Sequence, residues 1–115
     1  LVEALLARGA ARVYAGARDP RTLAALAEAH PDRVVAVALD VTDAASVDAA
    51  AAAAPDVTIL VNNAGIALAG DLLDGSAEEA LRQQLEVNLY GALRLTLAFA
   101  PALGARGGAV ANLAS

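Results

Sequence analysis

At 115 residues, with a net charge of -5 and 58% hydrophobic residues, the chain has the length of one domain and is too apolar for a disordered tail. The absence of cysteine excludes a disulfide framework and a cysteine-ligated metal, and the acidic balance argues against nucleic acid, which needs clustered cations. All eight basic residues are arginine, and no stretch reaches the ~20 apolar residues that cross a bilayer.

Two hydrophobic periods alternate along the chain. Residues 1–8 read as a helix already in progress, with Gly9 in the position of a C-terminal cap; the start of the protein is therefore expected upstream. Residues 12–17 (RVYAGA) form a short strand. Asp19 and Pro20 open a helix as N-cap and first residue, Leu23, Leu26 and Ala27 form its buried stripe, and His30-Pro31 stops it. His30 reads as a solvated loop residue.

Residues 33–39 (RVVAVAL) give a second strand, followed by an alanine-rich helix that Thr42 or Asp43 caps and Pro55 ends. Residues 57–61 (VTILV) are a third strand. After a loop carrying Gly65, Gly70 and Gly75, Ser76 and Glu79 have capping-box spacing, and a long helix is expected over residues 77–103, with Pro101 in its last turn. Residues 109–113 form a fourth strand. Strands of this length between helices imply right-handed crossovers and a parallel sheet, and the unbroken apolar runs VVAVAL and VTILV imply strands buried on both faces. The fold class is thus α/β: a Rossmann-like, doubly wound parallel sheet, incomplete, with residues 1–115 forming a single partial domain.

Open parallel sheets bind ligands beyond the carboxyl ends of their strands, so the residues just past each strand are the candidates. Arg18 comes after the first, where a basic residue would suit the 2′-phosphate of NADP(H) and an acid the free ribose of NAD(H); a solvated arginine paired with Asp19 or a nearby helix is the alternative. Asp40 and Val41 come after the second, where the acid could accept from an adenine amino group or cap the next helix. Asn62, Asn63, Ala64 and Gly65 come after the third; consecutive amides after an apolar strand are hard to justify by packing, and Ala64-Gly65 leaves room for a ribose or nicotinamide. Asn112 and Ser115 come after the fourth.

In the long helix, Leu81, Leu85, Asn88, Ala92, Leu95 and Phe99 share one face if the helix is regular. Asn88 would be a buried amide there, bracing backbone or holding a water. Leu89, Leu93 and Leu97 form a second apolar stripe, which suggests a further covering layer such as another subunit.

Taken together, Asp40-Val41, Asn62-Asn63-Ala64-Gly65, Val87-Asn88-Leu89-Tyr90-Gly91 and Asn112-Leu113-Ala114-Ser115 resemble the short-chain dehydrogenase/reductase family, in order and over essentially the whole chain. The resemblance implies an oxidoreductase that moves hydride between a nicotinamide cofactor and a small-molecule carbonyl or alcohol. Ser115 would polarise the substrate oxygen, and the backbone at Asn88 would hold the water of a proton relay. Asn62, Ala64 and Gly65 would wall the cofactor ribose, and Asp40 and Val41 would contact adenine. Arg18 matches the family pattern that favours NADP(H) over NAD(H). No metal, nucleic acid or membrane is implied. A homodimer or homotetramer through residues 77–103 and a cytoplasmic location are expected.

The family's first strand with its glycine-rich turn, and its Tyr-x-x-x-Lys pair, are missing from the sequence. Tyr14-x-x-x-Arg18 and Tyr90-x-x-x-Arg94 have that spacing but lie in the wrong elements, and arginine cannot relay a proton. The fragment alone is therefore expected to be inactive. A non-catalytic dinucleotide sensor or an interaction module on the same fold is the alternative.

Overall fold

The computed structural model describes residues 1–71 and 73–113. Helix α1 (Val2–Ala7) ends where Gly9 takes a positive φ of 96° and the Ala10 amide donates to the Leu5 carbonyl, so the glycine stops the helix as expected. Strand β1 (Val13–Ala17) comes next, then a 3-10 turn (Pro20–Leu23) and α2 (Ala24–Ala29). Asp19 caps that turn by accepting from the Arg21 amide at 3.0 Å, with Pro20 at its first position. Strand β2 (Val34–Ala38) leads to α3 (Ala44–Ala53), whose cap is Asp43, and then to β3 (Ile59–Asn62).

The long helix is interrupted. α4 (Ser76–Leu85) passes into a π-helical turn (Glu86–Gly91) and then α5 (Ala92–Ala105), which runs through Pro101 to the turn before β4 (Ala109–Asn112). The capping box does not form: Gly75, with φ of 81°, occupies the cap position, Asp74 accepts from the Ser76 amide, and the Ser76 hydroxyl accepts from the Asp71 amide.

All strand pairing is parallel. β1 pairs with β2, register Val13 to Val34, and β3 pairs with β4, register Ile59 to Ala109. The described strands form two two-stranded sheets, β1-β2 and β3-β4, rather than one. Between them lies a cleft of about 770 Å³, lined by Val13, Ala15, Ile59, Val61, Leu95 and Phe99 among others.

Successive side chains of a strand point to opposite faces, and the packing obeys that period. On one side Leu6 of α1 buries against Ala15 and Val34, with Val13 and the α2 residues Leu26 and Ala27 around them. On the other, Leu95, Phe99 and Leu103 of α5 pack with Val47 and Ala54 of the α3 region, Leu60 of β3 and Val41, and Tyr14 and Leu39 close over them. Not every strand residue is buried as its apolar run implied. Val34 and Leu60 are, but Val35 is 39% exposed and Ile59 is 61% exposed, because Ile59 lines the cleft and nothing among the described residues covers Val35.

One polar contact crosses between the sheets at the end opposite the strands' carboxyl termini. The Tyr14 hydroxyl donates to Asp56 at 2.6 Å, and Arg12 lies 3.6 Å from the same carboxylate. The hydroxyl's bond, with the charges of Arg12 and Arg106, holds the Asp56 carboxyl below the usual carboxylate range. Among the described residues no helix is long and apolar enough to cross a membrane.

Phe99 is buried at 6% exposure in the larger core cluster, whereas Leu73 is 96% exposed in a loop. Phe99→Ala is expected to destabilise the chain by about 3–5 kcal/mol and Leu73→Ala by less than about 0.5 kcal/mol, measured by urea denaturation.

Candidate functional site

Because both sheets are parallel, the segments after β1, β2, β3 and β4 all leave at carboxyl ends. Arg18 directly succeeds β1 and Asp40 lies just past β2; the two strands are hydrogen-bonded neighbours, and the charge of Arg18 reaches the Asp40 carboxyl. The Asp40 carboxyl lies below the usual carboxylate range, first because the Thr42 hydroxyl and amide both donate to it, at 2.7 and 3.0 Å, and then because of Arg18. Asp40 does not cap α3, since Asp43 does so. It is an ionised acceptor at the rim.

Arg18 is exposed and makes no ion pair among the described residues. The alternative partner, Asp19, is taken: its carboxylate receives the Arg21 guanidinium in a two-pronged bond, Nε at 3.0 and Nη2 at 2.8 Å, and that contact lowers its pKa.

Asn62, expected after the third strand, is the last residue of β3, and it differs from the three residues that follow. Asn62 is buried at 6% exposure, and its amide nitrogen donates to Asn112 Oδ1 at 2.7 Å and to the Thr96 hydroxyl at 3.2 Å, tying β3 to β4 and to α5. Its own Oδ1 has no partner among the described residues. Asn63, Ala64 and Gly65 are exposed, and Asn63 and Ala64 line the mouth of the cleft. Ala64 and Gly65 are therefore open to a ligand, while the Asn62 amide is spent on bracing the strands.

Asn88 is exposed rather than buried. The expected face assumed an unbroken α-helix. The π turn at Glu86–Gly91 inserts extra backbone and rotates the helix beyond it, so Leu81 and Leu85 stay exposed while Leu95 and Phe99 are buried. Within that turn Asn88 Oδ1 accepts from the Ile66 amide at 2.8 Å and Asn88 Nδ2 donates to the Ile66 carbonyl at 2.8 Å, so one side chain clamps both polar groups of one loop residue. The side chain thus braces backbone, one of the two roles the sequence left open. The post-β3 loop is fixed by it.

The sequence pattern did not single out Arg94 and Glu86. Arg94 Nη1 donates to the Val41 carbonyl at 3.1 Å, and its Nη2 lies 2.5 Å from Glu86 Oε1. These residues stand eight positions apart, beyond the three- and four-residue pairs by which helix surfaces are read. Ser115 lies outside the described residues. Among the described residues no cluster of three or more histidine or carboxylate side chains could hold a metal.

The profile of the family described as short chain dehydrogenase matches residues 1–115. The chain is 35% identical over 115 residues to the oxidoreductase calM of Penicillium decumbens, covering 90% of this chain and 37% of that protein. It is 46% identical over 87 residues to the galactitol 2-dehydrogenase (L-tagatose-forming) of Cereibacter sphaeroides, covering 72% of this chain and 33% of that protein. Among solved structures, a short chain dehydrogenase from Burkholderia cenocepacia in complex with NADP aligns with a TM-score of 0.88 at 44% identity, over 99% of this chain and 46% of that one. The chain thus spans about a third of the length of these curated relatives and under half of that structure.

Removing the Asn88 clamp should loosen the post-β3 loop locally. Asn88→Ala is expected to raise the exchange rate of the Ile66 amide about tenfold while core amides of α5 keep their protection, read by hydrogen exchange.

Proposed function

The chain belongs to the short-chain dehydrogenase family, and from that premise we propose that it is the cofactor-binding part of an oxidoreductase that transfers hydride between NADP(H) and a carbonyl or alcohol substrate. The observation that carries the preference for NADP(H) is the state of Arg18. It stands at the carboxyl end of β1, Arg21 has taken the neighbouring acid, and its planar fork is left for a 2′-phosphate. The similar Burkholderia structure is in complex with NADP, which supports the same reading.

The other rim residues fit the rest of such a cofactor. Asp40, ionised and held by Thr42, accepts from the adenine amino group, and Val41 lies beside it. Ala64 and Gly65 present small side chains and backbone to the ribose next to the nicotinamide. When bound, the cofactor supplies or accepts the hydride. Ser115 orients the substrate oxygen, the backbone around Asn88 contributes to the proton relay, and a tyrosine and lysine from sequence beyond residue 115 supply the proton. The cleft between β1 and β3 has unpaired strand edges on both sides and an apolar lining, which suits a further parallel strand from the same protein.

The proposed full-length enzyme is cytoplasmic and assembles as a homodimer or homotetramer. Leu89, Leu93 and Leu97 are 55%, 51% and 65% exposed along one helix, a stripe that a second copy would cover.

The full-length protein is expected to oxidise NADPH with members of a panel of aldehydes and ketones, and the 115-residue chain to show no turnover. Arg18→Ala should weaken NADPH binding by about tenfold or more and leave NADH binding nearly unchanged. Failure of the full-length protein to bind NADPH or to turn over any carbonyl would overturn the assignment. For assembly, the double substitution Leu93→Glu and Leu97→Glu is expected to halve the mass, or reduce it further, in light scattering with the far-ultraviolet circular dichroism unchanged; an unchanged mass would place the subunit contact elsewhere.

A further inference from the structure

Three features of the π turn and the first turn of α5 meet at the two rim loops. Asn88 holds the post-β3 loop through Ile66. Gly91 is pressed against the post-β2 segment so closely that a Cβ there would stand 2.6 Å from Val41 Cγ2 and 2.9 Å from Val41 Cβ. One turn further on, Arg94 reaches back with Nη1 to the Val41 carbonyl at 3.1 Å and with Nη2 to Glu86 Oε1 at 2.5 Å. Val41 itself is buried at 7% exposure, and the Arg94 side chain is 32% exposed, so this bond is partly shielded from water.

We propose that Arg94, oriented by Glu86 across the π turn, is a positioning residue that sets the Asp40-Val41 segment for the adenine half of the cofactor. The proposal rests on the reading of Asp40 and Val41 as the adenine contacts.

The geometry gives Arg94 a task that packing alone does not perform. Val41 is held from its side-chain side by Gly91 and the core around Leu95, yet a carbonyl facing a helix surface needs a donor to fix its peptide plane. That plane carries the Thr42 amide, which donates to the Asp40 carboxylate as the Thr42 hydroxyl also does, so the orientation of the plane bears on the direction of the Asp40 acceptor. A guanidinium is suited to the role because its fork engages two acceptors in fixed relative directions, whereas an ammonium is a point charge on a flexible stem. Glu86 fixes the second prong. The π turn and the start of α5 therefore brace both loops, Ile66 through Asn88 and Val41 through Arg94, and a shift of this stretch would move the adenine and nicotinamide ends together.

The test is calorimetric titration of the full-length protein with 2′,5′-ADP, which carries the adenine half and the 2′-phosphate, together with hydrogen exchange at Ile66 and a thermal melt. Arg94→Ala and Arg94→Lys are both expected to raise the Kd for 2′,5′-ADP about tenfold while Ile66 keeps its protection. Glu86→Ala should weaken binding in the native background and have no further effect beside Arg94→Ala, because it acts through that arginine. If Arg94→Ala does not fold, the Lys and Glu86 variants carry the same comparison. A folded Arg94 variant that binds 2′,5′-ADP as the native protein does overturns the proposal, as does a loss of protection at Ile66 equal to that elsewhere, which marks a general structural role. Asp40→Ala separates the two levels. If it leaves the Kd unchanged, the adenine assignment fails; if it weakens binding and the Arg94 variants do not, only the positioning role fails.

Discussion

The burial of one stripe of α5 fixes the geometry on which the candidate site depends. Leu95, Phe99 and Leu103 pack against Leu60 of β3 and against Val47 and Ala54 of the α3 region, and Val41 joins the same cluster. That cluster locks the axial position and rotation of α5 and, through the continuous backbone, of the π turn before it. Alanine-rich α3 is what permits this: Ala50 and Ala54 are 4% and 1% exposed, so α5 approaches closely with few large side chains between. Once α5 is seated, Arg94 and Asn88 can only point at the loops that leave β2 and β3. The polar bracing at the rim is a consequence of apolar packing below it.

Where local chemistry decides structure, the sequence was readable. Gly9 ends α1, Asp19 and Pro20 start the 3-10 turn, Asp43 starts α3, and β1, β2 and β4 fall within the expected runs, while β3 extends one residue past its run to Asn62. Parallel pairing was legible too, since strands separated by helices need crossovers. What sequence could not show was how a helix changes its own period. Nothing in the composition of residues 86–91 distinguishes a π turn from an α-helical one, so one continuous face from Leu81 to Phe99 was expected where two phases exist, and Asn88 was placed inside rather than on the surface. The capping box failed for a similar reason. Its spacing is present, but the positive φ at Gly75 lets Asp74 reach the Ser76 amide first. Asn62 illustrates a different limit: expected just past an apolar strand, it is the last residue of β3, and the bonds its amide makes, to Asn112 and Thr96, lie 50 and 34 residues away.

Every basic residue of the chain is an arginine, and several are committed to acceptors of the chain itself. Arg33 donates to the Leu6 and Ala10 carbonyls at 2.9 and 2.7 Å, where α1 ends and its unpaired carbonyls need donors. Arg94 captures the Val41 carbonyl, and Arg21, Arg82 and Arg94 each hold a carboxylate. In every one of these positions a fork of donors is consumed by an acceptor of the chain itself, two or more bonds at a time. Arg18 stands at the carboxyl end of β1 next to Asp19, whose carboxylate Arg21 holds, and it makes no ion pair among the described residues. Arg18 thus keeps an always-charged fork without an ion pair among the described residues at the carboxyl end of a parallel strand, and its charge helps to hold the Asp40 carboxyl below the usual carboxylate range. Val41, buried in the larger core cluster, anchors the segment that carries Asp40 at that rim, so the polar groups there are set by the packing beneath them.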